Sequence, residues 1–127
     1  MEKRLIRLGA ILGATAIILG AFGAHALKKH LNADQLVSFE TGVRYQMYHA
    51  LFLLFVGLSR LADSKKKLIA NLIGIGVLLF SGSIYLLTTY PITGIDIRPI
   101  AFITPVGGLL LIVAWVVLLV DFWRSKR

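Results

Sequence analysis

The side chains able to do chemistry are few, and most are close together in sequence. Glu40, Arg44, Tyr45, Gln46, Tyr48 and His49 fall within ten residues, with His25 before them and Ser81, Ser83, Tyr85 and Thr104 after. Of the three histidines, His25 and His49 are the natural candidates for moving a proton or holding a metal, because imidazole changes charge near neutral pH. The spacing argues against a metal. No His-x-x-x-His or Glu-x-x-His pair lies on one helix and the chain has no cysteine, so ligands would have to be assembled from several helices. The expectation is no metal and no cofactor, with each histidine hydrogen-bonded to a backbone carbonyl or a serine.

Glu40 and Arg44 stand at i and i+4 in the favourable order for a helical ion pair, and Tyr45 and His49 share that spacing. At membrane depth such charges would face the bundle interior or water. At headgroup level they would be an ordinary surface pair with the tyrosines as an aromatic belt, and that second reading is preferred. No serine elbow, phosphate loop or dinucleotide fingerprint occurs. Asp63, Asp96 and Asp121 are all at helix ends or in loops, so paired membrane carboxylates are absent. The chain is not expected to be an enzyme.

These residues have to be positioned by four long apolar runs: residues 5–27, 42–61, 68–88 and 103–120. Each approaches the roughly 20 residues needed to cross ~30 Å of hydrocarbon. The chain has 127 residues, 57% of them hydrophobic, and a soluble domain this small could not bury so much apolar surface. The expectation is a single all-α domain over residues 1–127, an integral membrane four-helix bundle. Helix two, running from Ala33, is longer than the bilayer requires and should extend beyond it on the outer side.

The charges follow the same plan. Net charge is +8, yet its placement argues against a nucleic-acid partner. Ten of the fourteen basic residues precede span one, join spans two and three, or follow span four; Lys28, Lys29, Arg44 and Arg98 are the other four. By the positive-inside rule both termini and the loop around Lys65 should be cytoplasmic, touching anionic lipid headgroups. The His25, Glu40–His49, Ser81–Tyr85 and Thr104 groups then all fall in the outer half, as one polar cluster from several helices. A basic start, an apolar stretch and Ala24-His25-Ala26 also imitate a signal peptide; the length of the apolar run and Lys28-Lys29 favour an uncleaved helix.

Small residues mark the helix contacts. Gly9, Gly13, Gly20, Gly23 and Ala24 recur along span one, and Gly82 sits between Ser81 and Ser83 in span three. Such faces let backbones approach closely, either within one chain, which is preferred, or between copies in a homo-oligomer. Asn32 reads as an N-cap. Residues 89–102 hold Pro91, Gly94 and Pro99 among isoleucines, a segment expected along the outer interface or dipping into the bundle.

Four strings together resemble one family: Gly20-Ala21-Phe22-Gly23-Ala24-His25-Ala26-Leu27, Tyr45-Gln46-Met47-Tyr48-His49-Ala50-Leu51, Phe80-Ser81-Gly82-Ser83-Ile84-Tyr85 and Thr104-Pro105-Val106-Gly107-Gly108. They resemble the small bacterial membrane proteins of the domain-of-unknown-function-423 family, related to a eukaryotic transmembrane-protein family. Where that pattern continues with Gly-Trp, this chain has Ala114-Trp115. The resemblance implies a four-span protein of the bacterial plasma membrane and selects His25, Tyr45, Gln46, His49, Ser81, Ser83 and Thr104. It implies no activity. The function expected from the residues is binding of a lipid, small ligand or partner membrane protein through the outer polar cluster. The alternative is a transporter or channel component for protons, ions or a small solute, which needs a polar path that the inner half lacks unless an oligomer supplies it.

Overall fold

The computed structural model describes residues 1–125, and among them all regular structure is helical. Four long helices, α1 (Glu2–His25), α2 (Ala33–Leu58), α3 (Asp63–Thr88) and α5 (Ile103–Arg124), are joined by short segments, the last containing the single-turn α4 (Tyr90–Thr93). α1, α3 and α5 are long and apolar enough to cross a membrane. α2 is as long but carries the polar residues of Arg44–His49, and it is flanked by α1 on one side and α3 on the other. Its polar groups therefore face protein where they are buried.

Consecutive helices run antiparallel, as the contact registers show. Gly9 faces Ala50 and Gly23 faces Phe39 across α1–α2; Lys66 meets Gly57 and Ser81 meets Gly42 across α2–α3; Gly76 meets Leu111 and Ser83 meets Thr104 across α3–α5. The order in space is α1–α2–α3–α5, with α1 also touching α3. One end of the bundle carries Met1, the α2–α3 turn and Ser125, and is called the terminal end below. The other carries both longer connections and is called the loop end.

Local signals set the helix boundaries. Asn32 accepts from the Gln35 amide and Gln35 returns a bond to the Asn32 amide, a reciprocal capping box that starts α2. α2 stops at Leu58, three residues before the end of the apolar run, where Ser59 turns extended and its hydroxyl bonds the Val56 carbonyl. α3 begins at Asp63, well before the next apolar run at Leu68, so Lys65, Lys66 and Lys67 lie on its first turns rather than in a loop. Lysine is a good helix former, and Lys66 has a further reason to be there: its ammonium, buried, donates to the Gly57 carbonyl at 2.8 Å and caps the end of α2.

Residues 89–102 stay largely exposed instead of entering the bundle. α4 ends at Gly94, whose φ of 72° is the one left-handed position among the described residues, a conformation glycine adopts without steric cost. The main core fills the terminal end: Leu5, Leu53, Val56, Ile69, Ile73 and Ala114 are fully or almost fully buried there. A smaller cluster of Leu27, Leu31 and Phe39 closes the loop end.

Candidate functional site

Between the two apolar clusters lies a band of buried polar groups. Gln46 is its centre. Its amide nitrogen donates to the Leu12 carbonyl at 2.9 Å and to Thr15 Oγ1 at 2.7 Å, and its Oε1 accepts from the Tyr85 hydroxyl at 2.6 Å. One side chain of α2 thus bonds both flanking helices, using three of the four hydrogen bonds an amide can make. One turn away, the Ser81 hydroxyl donates to the Gly42 carbonyl at 2.7 Å. The Ser83 and Thr104 hydroxyls bond each other, joining α3 to α5.

His49 links α2 to α5. Its Nδ1 lies 2.6 Å from the Tyr45 carbonyl, and the Trp115 indole N–H donates to its Nε2 at 3.1 Å. A carbonyl can only accept and an indole N–H can only donate, so the two partners together select the neutral Nδ1–H tautomer. Trp115 also stacks on Phe52, ring centroids 4.2 Å apart. Among the described residues every buried side-chain nitrogen and oxygen has a partner, as low dielectric demands.

The other residues singled out by sequence stand outside this band. His25 is exposed at the end of α1. Glu40 and Arg44 form an exposed pair at 3.4 Å. Tyr45 and Tyr48 are exposed and tilt against each other, with Tyr45 also against Phe80. Among the small residues, a side chain at Gly9 would strike the Ala50 carbonyl at 2.8 Å and one at Gly23 the Phe39 ring at 2.9 Å. Gly13 and Gly20 have ordinary contact distances across the same seam, and Gly82 meets only Leu78 of its own helix. The tightest approach is one the sequence did not single out: a Cβ on Gly107 would run into the Phe80 backbone nitrogen.

Thr15, Trp115 and Lys66 were also not selected from sequence as site residues. Thr15 is the one hydroxyl of α1 and Trp115 carries an indole N–H inside an apolar helix, so both need a partner. That need was the available signal. Among the described residues no group of three or more His, Asp and Glu is gathered in a way that could hold a metal.

Beside the polar band, at the loop end, is a cavity of about 490 Å³. Its walls are Leu19, Phe22, Leu27, Phe39 and Tyr85, and α4 contributes Ile92 and Thr93 to its edge, with His30 and Thr89 as further polar groups. Tyr85 belongs to both structures: its ring lines the cavity and its hydroxyl reaches Gln46. The adjoining connection is braced by Arg98, which bonds both Asp96 carboxylate oxygens and lies 4.6 Å above the Tyr90 ring. Hydrogen bonds from the Arg98 side chain and amide hold the exposed Asp96 carboxyl down at about 2.

Comparison with known proteins places this arrangement. The model of a protein family described as protein of unknown function (DUF423) matches residues 19–108. The chain belongs to the DUF423 (UPF0382) family of bacterial membrane proteins. A UPF0382 membrane protein of Haemophilus influenzae is 39% identical, over 99% of this chain and 98% of its own. YwdK of Bacillus subtilis, also a UPF0382 membrane protein, is 41% identical over 93% and 94% of the two chains. The UPF0382 inner membrane protein YgdD of Escherichia coli is 35% identical over 99% and 94%. No solved structure matches. This family member is a cell-membrane protein with several apolar spans, and DUF423 as a family carries no assigned reaction.

Proposed function

We propose that this DUF423 protein spans the membrane four times with both termini in the cytoplasm, and that it binds a lipid or similarly shaped amphiphile in the outer leaflet without catalysing a reaction. The carrying observation is the loop-end cavity. At about 490 Å³ it falls in the range of ~300–1,000 Å³ typical of ligand sites, apolar with a few fixed polar groups. Tyr85, held by Gln46, supplies a rigid wall. The ten-to-four distribution of basic residues supports the orientation, and α2 serves as the fourth span because α1 and α3 cover it. Transport through a single copy is disfavoured, since the core at the terminal end is apolar side chains from several helices.

Two measurements test this. The chain lacks cysteine, so single cysteines at Lys65, Lys29 and Asp96 give clean labelling; Lys65 should report the inside and the other two the outside. Ala26 also lines the cavity, so Ala26→Trp should fill part of it and reduce co-purified lipid while the protein melts normally. Unchanged lipid retention in a folded Ala26→Trp protein would remove the binding reading, and reversed labelling would remove the orientation.

A further inference from the structure

A second crevice lies at the opposite, terminal end, away from the polar band. α3 and α5 nearly touch backbones where Gly107 meets Phe80 and Gly76. The last buried residue of α5 is Ala114. From Val113 on a groove of about 530 Å³ opens, its apolar lining Val113, Val116, Val117 and Val120, with Lys65 and Arg124 lining it toward the terminal end. From Val113 to Arg124 the helix rises about 16 Å, close to half of the ~30 Å hydrocarbon thickness. The groove therefore spans one leaflet, apolar in its depth and cationic at the level of the headgroups.

We propose that this groove is a binding site for an anionic phospholipid, with the phosphate between Lys65 and Arg124 and one acyl chain along the valines. The charge pattern favours this occupant over a second copy of the chain. The same end also carries Lys3, Arg4, Arg7, Arg60 and Lys67, so two such surfaces repel each other. Asp121 also lines the groove, so its charged lining is two cations and one carboxylate, a net charge of +1. Guanidinium and ammonium together suit a phosphodiester, the one by a fork of N–H donors and the other as a point charge. The site is independent of what fills the loop-end cavity.

The test uses the full chain in nanodiscs of phosphatidylcholine, alone or mixed with phosphatidylglycerol. Both leaflets then have the same composition and orientation does not matter. Lipid retained after detergent extraction is counted by native mass spectrometry. With a net charge of +1 in the groove the expected preference for phosphatidylglycerol is about fivefold, equivalent to ~1 kcal/mol. Lys65→Gln/Arg124→Gln should abolish the preference, with unchanged melting in pure phosphatidylcholine because both side chains are exposed. Lys67→Gln, on the same turn of helix but outside the groove, should keep it. Val116→Trp, which fills the acyl path and leaves both charges, should lower retention of either lipid. A preference that survives the double variant overturns the site. So does an equal loss in Lys67→Gln, which means diffuse attraction, or displacement of the lipid by inorganic phosphate alone, which means a free-anion site. Retention unaffected by Val116→Trp overturns the acyl path.

Discussion

The two halves of this bundle are held together by different physics. Toward the loop end, helices are registered by hydrogen bonds: Gln46 to Leu12, Thr15 and Tyr85, Ser81 to Gly42, Ser83 to Thr104. Toward the terminal end, they are held mainly by shape, with Leu5 against Gly57 and Ile69, Ile73 and Val56 sealed in the core. Within a bilayer, association of apolar faces gains little, because lipid tails are as apolar as leucine. Close packing can hold the dry half, but it does not prevent helices sliding past one another by a turn. A side chain such as Gln46, which must find three partners at once, does. The polar half therefore fixes register and the dry half fixes distance.

That division can be broken most strongly at the seam where backbones meet. Gly107→Leu should cost about 1–3 kcal/mol or more through overpacking, because its Cβ has backbone rather than a movable side chain in the way. Gly13→Leu should cost distinctly less, its nearest neighbour being the Ala50 methyl at 3.7 Å. Thermal melting in detergent ranks the two, and equal losses would mean that the close approach is not what holds the α3–α5 seam.

Next in size is the polar register. Gln46→Leu leaves the Tyr85 hydroxyl without its acceptor, at a cost of about 1–3 kcal/mol for an orphaned buried group. A double-mutant cycle with Tyr85→Phe should give a coupling of ~0.6 kcal/mol and no more than ~1.7 kcal/mol, the range found for hydrogen bonds between helices in membranes. Zero coupling would show that Gln46 acts through Thr15 and Leu12 only.

Smaller again is Lys66→Met, which keeps the buried stem but leaves the Gly57 carbonyl uncapped. A loss of about 0.5–1.5 kcal/mol is expected, confined to the terminal end. Hydrogen exchange should therefore quicken at residues 57–66 and not around Gln46. Faster exchange throughout would mean that the two halves do not respond separately.

The smallest effect belongs to the Asp96–Arg98 brace, which is exposed. A carboxyl held at about 2 contributes whatever it contributes above its unfolded value of ~3.9, and loses it as pH falls through the folded value. Between pH 5 and 7 the difference in melting temperature between wild type and Asp96→Asn should thus stay constant. Below about pH 4 the gap between wild type and variant should close. NMR titration of the Asp96 carboxyl checks the midpoint directly.

Much of this was legible without coordinates. Length, hydropathy and the sorting of basic residues required long apolar helices, because no small soluble fold buries so much apolar surface. Asn32 announced the start of α2, and Pro91, Gly94 and Pro99 announced an irregular connection. Depth along the helices brought Gln46, His49, Ser81, Ser83 and Thr104 to one level. What depth alone did not give was azimuth. His25 and His49 have similar sequence positions relative to the membrane, yet His25 is exposed and His49 is tied to Trp115. A few tens of degrees of rotation separates a bundle-facing residue from a lipid-facing one, and the apolar surface of α5 is too uniform to show which side is which.

Close approaches had the same character. Gly107, Gly76 and Gly42 matter because another backbone or ring lies against them, whereas Gly82, in a sequence context no less suggestive, meets only its own helix. The sequence by itself determined that the chain lives in a membrane, where its helices run and which groups would need partners, since each of these follows from local composition and the cost of burying polar atoms. Only the tertiary structure decided which partner each group found and where the helices part to leave a cavity or a groove, because those depend on rotations and crossings set by all four helices at once.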